Sequence, residues 1–230
     1  MRCFQKVNSS VSRLFKKACR LPKMRREGLK YLAPNFIYFP RLTSDSVIID
    51  AGCSYEADFS MHMINEYQLK VYAVDPTLKH RKALRILEEK HKGRFIHLPF
   101  AITAEDGALT FYESKVNESG SILADHINVR MDETTSYEVK AISLKSLLNY
   151  IGVKQIDILK LDIEGVEYDL VSRISREELL PFKQIFIEFH HHAVTKFSEV
   201  DTKRIVERVC GFGFKSFSVD DHNYLFSQVN

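Results

Sequence analysis

Glycine is scarce in this chain, with 9 glycines among 230 residues, so any loop that binds a nucleotide has few available. No apolar run reaches the ~18 residues that a membrane-spanning helix requires. The four cysteines are far apart and form no CxxC pair, which disfavours a zinc finger and a disulfide scaffold. Internal repeats and low-complexity segments are also missing. The 45% hydrophobic and 27% charged residues are typical of an ordinary globular domain.

The charge is divided unequally along the chain. Residues 1–45 carry 11 Lys or Arg against two acids, so their net charge is +9, and the total of +3 leaves −6 for the remainder. The length fits one domain with an extension. We therefore predict a basic helical N-terminal extension over residues 1–45 and a folded domain over residues 46–230.

The basic extension has helical periodicity. Apolar residues recur at spacings of three and four from Val7 to Leu21, with Lys and Arg between them, and predict an amphipathic helix that ends near Pro22. This helix could contact an anionic surface or substrate, or pack on the folded domain with its charges in water. An Arg-rich, acid-poor start is also typical of a transit peptide. We expect no nucleic acid partner, because the basic extension lacks, apart from Phe15, the aromatic residues that would stack on bases.

From Ser46 onwards, short apolar runs alternate with segments of helical periodicity. This alternation predicts βαβ units and an α/β fold with a mostly parallel sheet. The expected strands are Ser46–Ala51, Lys70–Val74, Arg94–Leu98, Ile156–Leu161 and Gln184–Phe189. Residues 101–142 break the rhythm and predict an inserted hairpin or lid. The runs Gly213–Val219 and Tyr224–Ser227 predict a C-terminal hairpin.

Candidate cofactor residues follow the first two expected strands. Ligands of open α/β sheets bind outside the carboxyl ends of the strands. Gly52, two residues after Asp50, permits a tight turn and a close backbone approach by a ligand. Asp75 lies 23 residues beyond Gly52 and ends the second strand, which is where an acid binds the ribose hydroxyls of a nucleoside cofactor. The alternative is an Asp-Pro turn that caps the next helix.

Candidate catalytic residues follow the fourth and fifth strands. Asp162 and Glu164 stand two residues apart, although acids also favour a helix N-terminus. His190 begins a run of three histidines, and histidine is the natural general base near neutral pH. At least one of the three is expected in the core or in solvent. A competing hypothesis places a divalent ion on Asp162, Glu188 and His190. We favour a site without a metal.

Together these motifs resemble the FkbM family of class I S-adenosylmethionine-dependent methyltransferases. LKLDIEG at 159–165 is the most specific of them. The segments that carry the resemblance are VIIDAGCSYEADFS (47–60), VYAVDPT (71–77), HLPFAIT (97–103), DGALTFYE (106–113), SGSIL (119–123), ISLKSLL (142–148), ILKLDIEGVEYDLV (158–171) and IFIEFH (185–190). Gly52-Cys53-Ser54 departs from the commoner Gly-Ala-Asn of the family.

The resemblance implies a Rossmann-like, seven-stranded, mostly parallel sheet of the class I methyltransferase fold, with a C-terminal antiparallel hairpin. It also implies S-adenosylmethionine as cofactor and O-methylation of a hydroxyl on a sugar, glycan or small metabolite. The expected cofactor-binding residues are Asp50, Gly52, Cys53, Ser54, Asp75, Pro76, Phe100, Ala101 and Asp162. The methionine part would lie at the Gly52 turn, the ribose at Asp75 and the adenine near Phe100. The expected base is His190, with Asp162 or Glu164 second.

Two other functions stay open. An NAD-dependent enzyme of Rossmann type is disfavoured because the GxGxxG fingerprint is missing. The second alternative is a non-catalytic relative that acts through its basic extension. It stays open because the Gly52-Cys53-Ser54 turn departs from the family pattern. We expect the protein in the cytoplasm, and peripheral to a membrane if residues 1–45 bind anionic lipid.

Overall fold

The computed structural model describes residues 16–228 of the chain. Within this part, no helix is both long and apolar enough to cross a membrane. The helical periodicity predicted upstream of residue 16 lies outside the described residues. The described part of the first helix, α1, covers residues 16–26.

A central seven-stranded sheet organises the molecule, in the order β12-β13-β11-β10-β3-β4-β5. Its strands are β3 (Val47–Ala51), β4 (Lys70–Val74), β5 (Phe95–Leu98), β10 (Ile156–Leu161), β11 (Phe182–Glu188), β12 (Phe214–Ser218) and β13 (Asn223–Gln228). Strand β13 is antiparallel to both of its neighbours, and the other directly paired strands are parallel. The predicted α/β fold with a C-terminal antiparallel hairpin is confirmed.

Helices and smaller elements cover both faces of this sheet. They are α2 (Asp58–Tyr67), α3 (Arg81–Lys90) after a 3₁₀ turn (Leu78–His80), α4 (Ile127–Met131), α5 (Leu144–Ile151), α6 (Glu167–Arg173), α7 (Arg176–Leu179) and α8 (Glu199–Gly211). Ile48 packs into a core with α1, α2 and α3, whereas Ile49 packs into a second core with α5 to α8. Burial on both faces explains why the strands are continuous apolar runs.

Residues 101–142 form a separate four-stranded sheet in the order β6-β9-β7-β8. Its strands are β6 (Ala101–Ile102), β7 (Gly107–Ser114), β8 (Gly120–Ser121) and β9 (Thr134–Ile142). β7 and β9 pair antiparallel along their whole length, from Gly107 opposite Ala141 to Ser114 opposite Thr134. The inserted hairpin predicted beside the main sheet is therefore present, and we call residues 101–142 the insert.

The predicted end of the first helix near Pro22 is wrong, because the helix continues to residue 26. Proline removes one helical hydrogen bond, but Leu21 and Met24 on either side of it pack into the core, and such packing supplies most helical stability. A short hairpin follows, β1 (Lys30–Leu32) and β2 (Phe36–Tyr38), whose second strand is buried. Residues 16–45 are thus helical only in their first part.

Candidate functional site

A cleft of about 210 Å³ opens at the carboxyl ends of the parallel strands. Most of the predicted site residues line it: Gly52, Ser54, Asp75, Pro76, Phe100, Ala101, Asp162 and Glu164. Asp50 and Cys53 line a neighbouring cavity instead. The insert closes the cleft with Phe111, Gly120 and Ile122. The described elements therefore bring the turns after β3, β4 and β10 together with the insert at one cleft.

The Gly52 turn brings the β3 and β10 loops into contact. Gly52 has a φ of +75°, and a Cβ there would lie 1.8 Å from the backbone oxygen of Asp162. Its N–H donates to the Val74 carbonyl at 2.9 Å. Only glycine fits this close approach in the left-handed region. The turn thereby fixes the position of Asp162 beside the cleft.

Asp75 is buried, with 3% of its surface exposed, and its carboxylate is already largely engaged. The backbone N–H groups of Thr77 and Ser54 donate to it at 2.8 and 3.1 Å, and His80 Nδ1 lies 3.2 Å away. Burial opposes the charge, but the His80 and Thr77 hydrogen bonds outweigh it and lower the pKa of Asp75. A carboxylate has about four acceptor sites. The Cys53 thiol, 3.9 Å from Oδ2, is a fourth group on this carboxylate, so the protein's own groups engage all of these sites, whereas the sequence predicts two bonds from Asp75 to a ribose.

His80 is a site residue that the sequence analysis missed. Its ring is buried and lines the cleft, with Nδ1 on Asp75. Its Nε2 is buried and has no hydrogen-bond partner within the described part of the protein. Buried polar atoms are normally paired, so this nitrogen is ready for a polar ligand. No motif marks His80, because only the 3₁₀ turn Leu78–His80 brings it back over Asp75.

Asp50 and Lys160 form a buried support behind the Gly52 turn. Lys160 Nζ lies 3.3 Å from Asp50 Oδ1 and 3.1 Å from Asp162 Oδ2, and it donates to the Gly52 carbonyl at 3.3 Å. Asp50 also accepts a 2.6 Å hydrogen bond from Ser60 Oγ. Burial opposes the charge on Lys160, but Asp162 and Asp50 outweigh it and raise the pKa of Lys160. Asp50 thus supports the turn and Asp162 through Lys160.

His190 stands at the end of β11 between three carboxylates. Its Nδ1 donates to Glu167 Oε1 at 3.0 Å, and Glu167 is fully buried. Its Nε2 lies 3.5 Å from both Asp162 Oδ1 and Glu164 Oε2. Burial opposes the charged ring, but Glu167 and Glu164 outweigh it and raise the pKa of His190 well above its ordinary value. The predicted catalytic residues therefore form one cluster, in which the surrounding carboxylates favour the protonated form of His190.

Glu167 shapes the backbone of the loop that carries Asp162 and Glu164. Its carboxylate accepts hydrogen bonds from the N–H groups of Ile163 at 2.8 Å and Gly165 at 2.9 Å. Glu164 itself has a φ of 55°, in the left-handed region that non-glycine residues rarely adopt. Glu167 is therefore more than an acid at a helix start, because it holds both the strained loop and His190.

His126, from the insert, is a second residue that the sequence analysis missed. It is 0% exposed, and its Nε2 lies 2.8 Å from Glu164 Oε2. Burial opposes ionisation of Glu164, but His126 and His190 outweigh it and lower the pKa of Glu164 to about 2. The insert thus reaches into the catalytic cluster. No motif in the sequence marks His126, because its contact with Glu164 depends on how two separate sheets pack.

Glu188, at the end of β11, is an acid whose charged form is disfavoured by its surroundings. Burial, and then the nearby charge of Asp162, raise its pKa to about 7. The competing hypothesis assigned it to a divalent ion together with Asp162 and His190. Among residues 16–228, no group of three His, Cys, Asp or Glu side chains is arranged to hold a metal ion.

His191 faces a different environment from His190, whereas His192 stays beside it. His191 Nδ1 lies 2.8 Å from the Thr202 hydroxyl, and its ring stacks on His222 at 4.3 Å. The ring of His192 stacks with that of His190 at 5.8 Å. His191 therefore packs between α8 and the β12–β13 turn, away from the carboxylates that surround His190.

Comparisons with known proteins identify a family. The family model described as the methyltransferase FkbM domain matches residues 53–216. A comparison with curated proteins found no match. Similar solved structures include a Methanococcus jannaschii fibrillarin (15% identity, 86% of this chain, 69% of that chain, TM-score 0.47). Others are an Aeropyrum pernix fibrillarin in complex with S-adenosyl-L-methionine (12%, 83%, 68%, 0.45) and a putative caffeoyl-CoA O-methyltransferase from Staphylococcus aureus (9%, 99%, 90%, 0.41). All three TM-scores lie below 0.5, so nothing about substrates is transferred from them.

Proposed function

The chain belongs to the FkbM methyltransferase family, and on this premise we propose that it methylates a hydroxyl oxygen on a sugar, glycan or small metabolite. S-adenosylmethionine is the cofactor. The observation that supports oxygen as the acceptor is the cluster of His190, Asp162 and Glu164, where His190 Nε2 lies 3.5 Å from a carboxylate oxygen of each acid. Such a cluster can take the proton that a hydroxyl must lose during methylation.

The cleft suits the nucleoside part of this cofactor. His80 and Asp75 lie at one wall of the cleft, and the unpartnered Nε2 of His80 supports a hydrogen bond to a ribose hydroxyl. Phe100 and Ala101 would contact the adenine, and the Gly52 turn with Ser54 would line the methionine part. We therefore add His80 to the proposed cofactor-binding residues.

The residues of the chain have two tasks in the reaction. S-adenosylmethionine supplies an electrophilic methyl group on a sulfonium. The cleft must hold the acceptor oxygen about 3 Å from that carbon, which is chiefly a matter of proximity and orientation. With the cofactor bound, the acceptor oxygen would take the methyl group from the sulfur, and the cluster of His190, Asp162 and Glu164 would take the hydroxyl proton. His190 is the proposed base once it is deprotonated, and Asp162 or Glu164 is the second candidate.

The acceptor atom can be tested by labelling. The purified protein is incubated with tritium-methyl S-adenosylmethionine and a panel of hydroxyl-bearing sugars and metabolites, and each labelled product is analysed by mass spectrometry. We expect a methyl ether. A methylated nitrogen or carbon would contradict O-methylation. Binding of S-adenosylhomocysteine without transfer to any acceptor would favour the non-catalytic alternative, and binding of NAD in its place would favour the oxidoreductase.

A further inference from the structure

A second cavity of about 560 Å³ adjoins the cofactor cleft. The two share Gly52, Ser54, Glu118 and Asp162 as lining residues, so they meet at the Gly52 turn and Asp162. The β1–β2 turn forms one wall of the second cavity, and Glu188 and Asn223 at the strand ends form another. A molecule in this cavity would lie beside the catalytic cluster without entering the part of the cleft at Asp75 and Phe100.

The basic charges of α1 hold two walls of this cavity in place. Lys17 Nζ donates to the Pro34 carbonyl and, at 3.2 Å, to Asn35 Oδ1, both in the β1–β2 turn. Lys16 and Arg20 bind Asp221 at 2.9 and 2.6 Å, in the turn that leads to Asn223. These three cations therefore face acceptors of the protein itself. The described part of the extension offers its charge to the cavity walls, whereas the sequence suggested an anionic partner.

The lining of the cavity is strongly acidic. Lys160 is its one cation among the described lining residues, and it is already bound between Asp50 and Asp162. The lining acids are Asp50, Glu56, Asp58, Glu118, Asp162 and Glu188. The neighbourhood resists a further negative charge, since burial and Asp162 raise the pKa of Glu188 to about 7. Clefts lined by charge of one sign concentrate ligands of the opposite sign.

We propose that this second cavity is the acceptor site, and that it selects an acceptor with a protonated amine near the reacting hydroxyl over neutral or anionic acceptors. The proposal rests on the proposed methyl transfer. A protonated amine would pair with the acids that Lys160 leaves uncompensated, whereas a phosphate or carboxylate would meet repulsion. The ammonium and sulfonium of the cofactor meet part of this negative charge, so acceptors must be compared with the cofactor site filled.

The test uses three sugars that differ in charge: glucosamine, glucose and glucuronate. Their binding to the full chain saturated with S-adenosylhomocysteine is measured by ligand-observed NMR, and methyl transfer to each is measured with S-adenosylmethionine. We expect glucosamine to bind at least about tenfold more tightly than glucuronate at low salt, with glucose between them. Added salt should narrow the difference, because exposed acids such as Glu56 and Asp58 are screened.

Two variants connect this preference to the lining. In Glu188→Gln and in Glu56→Gln the ratio of glucosamine to glucuronate affinity should fall by about two- to fivefold, the range of one partly screened charge. Glu89→Gln, on the exposed face of α3, should leave it unchanged. A thermal midpoint equal to that of the parent protein confirms that each variant is folded.

Equal or tighter binding of glucuronate, or no binding of glucosamine, would overturn the proposed selectivity. If glucosamine binds preferentially but no methyl ether forms on any acceptor, the proposed reaction fails while the charge selectivity of the cavity stands. The two results therefore separate the acceptor proposal from the function on which it rests.

Discussion

His80 shows how one residue can complete a site that a motif only outlines. Asp75 has the position of a ribose-binding acid, but protein donors already occupy most of its carboxylate. One ring nitrogen of His80 donates a hydrogen bond to this carboxylate, and the other is buried without a partner among the described residues, in a ring that lines the cleft. The acid thus acts partly by fixing the orientation of the histidine.

We predict that His80→Ala weakens S-adenosylhomocysteine binding about tenfold, because one buried hydrogen bond contributes about 0.5–1.5 kcal/mol. Isothermal titration calorimetry measures this loss directly. His91→Ala, at the opposite end of α3, is the matched control and should bind like the parent protein. An unchanged affinity in His80→Ala would exclude a contact between His80 and the cofactor.

His190 connects catalysis to pH. Glu167 and Glu164 raise its pKa well above the ordinary value, so the neutral ring that can act as a base is populated only at higher pH. We predict that kcat rises as pH increases above 7 and levels off above the pKa of His190, and that His190→Gln is slow and lacks this rise. A wild-type rate that is flat from pH 6 to 9 would assign the base to a carboxylate instead.

The raised pKa of His190 also affects the stability of the folded protein. A group whose pKa is raised by folding stabilises the protein below its unfolded pKa of about 6.5, and this contribution is lost as pH rises through the folded pKa. The free energy of unfolding of the parent protein, from urea titrations, should therefore fall between neutral and alkaline pH. The fall should be smaller in His190→Gln.

At the scale of elements, local sequence patterns predicted the strands, but they did not predict how the elements pack against each other. The β-branched runs predicted all of the parallel strands of the main sheet, with bounds within about two residues of those observed, a normal margin for strand ends. The insert was recognised as a hairpin because its strands flank a polar stretch. Its delivery of His126 to Glu164 was not readable, since it depends on the packing of two sheets.

Helix α1 acts on the site through the β1–β2 turn. We predict that Lys17→Ala raises KM for the acceptor identified by the labelling screen several-fold, while affinity for S-adenosylhomocysteine stays the same. The reason is that the hydrogen bonds of Lys17 go to the turn that borders the second cavity, and its other contact is with the Tyr31 ring of the same hairpin. The half-exposed contact should stabilise the fold by no more than about 1 kcal/mol.

Arg25→Ala provides the comparison, because Arg25 lies exposed on the same helix. Its KM and thermal midpoint should match those of the parent protein. An acceptor KM that is equal in Lys17→Ala and Arg25→Ala would show that α1 does not position the cavity wall.

For the whole molecule, the carboxyl edge of the main sheet is where separate layers meet. The Gly52 turn, the Asp162 loop and the insert come from distant parts of the chain and enclose the cleft together. His190 and His126 contact the acids of the Asp162 loop. The charge division also has a spatial meaning. The cations of α1 neutralise turns at the rim, while the acids line the cavity beside the catalytic cluster.

The sequence by itself determined the fold class, the positions of the main strands and several of the residues that line the cleft. Strand patterns, the lone Gly52 turn and acids at strand ends are local properties that neighbouring residues impose. Only the tertiary structure decided that Asp50 supports Lys160, that His80 and His126 belong to the site, and that α1 continues past Pro22. These features depend on burial and on contacts between residues far apart in the chain, which no short-range pattern records.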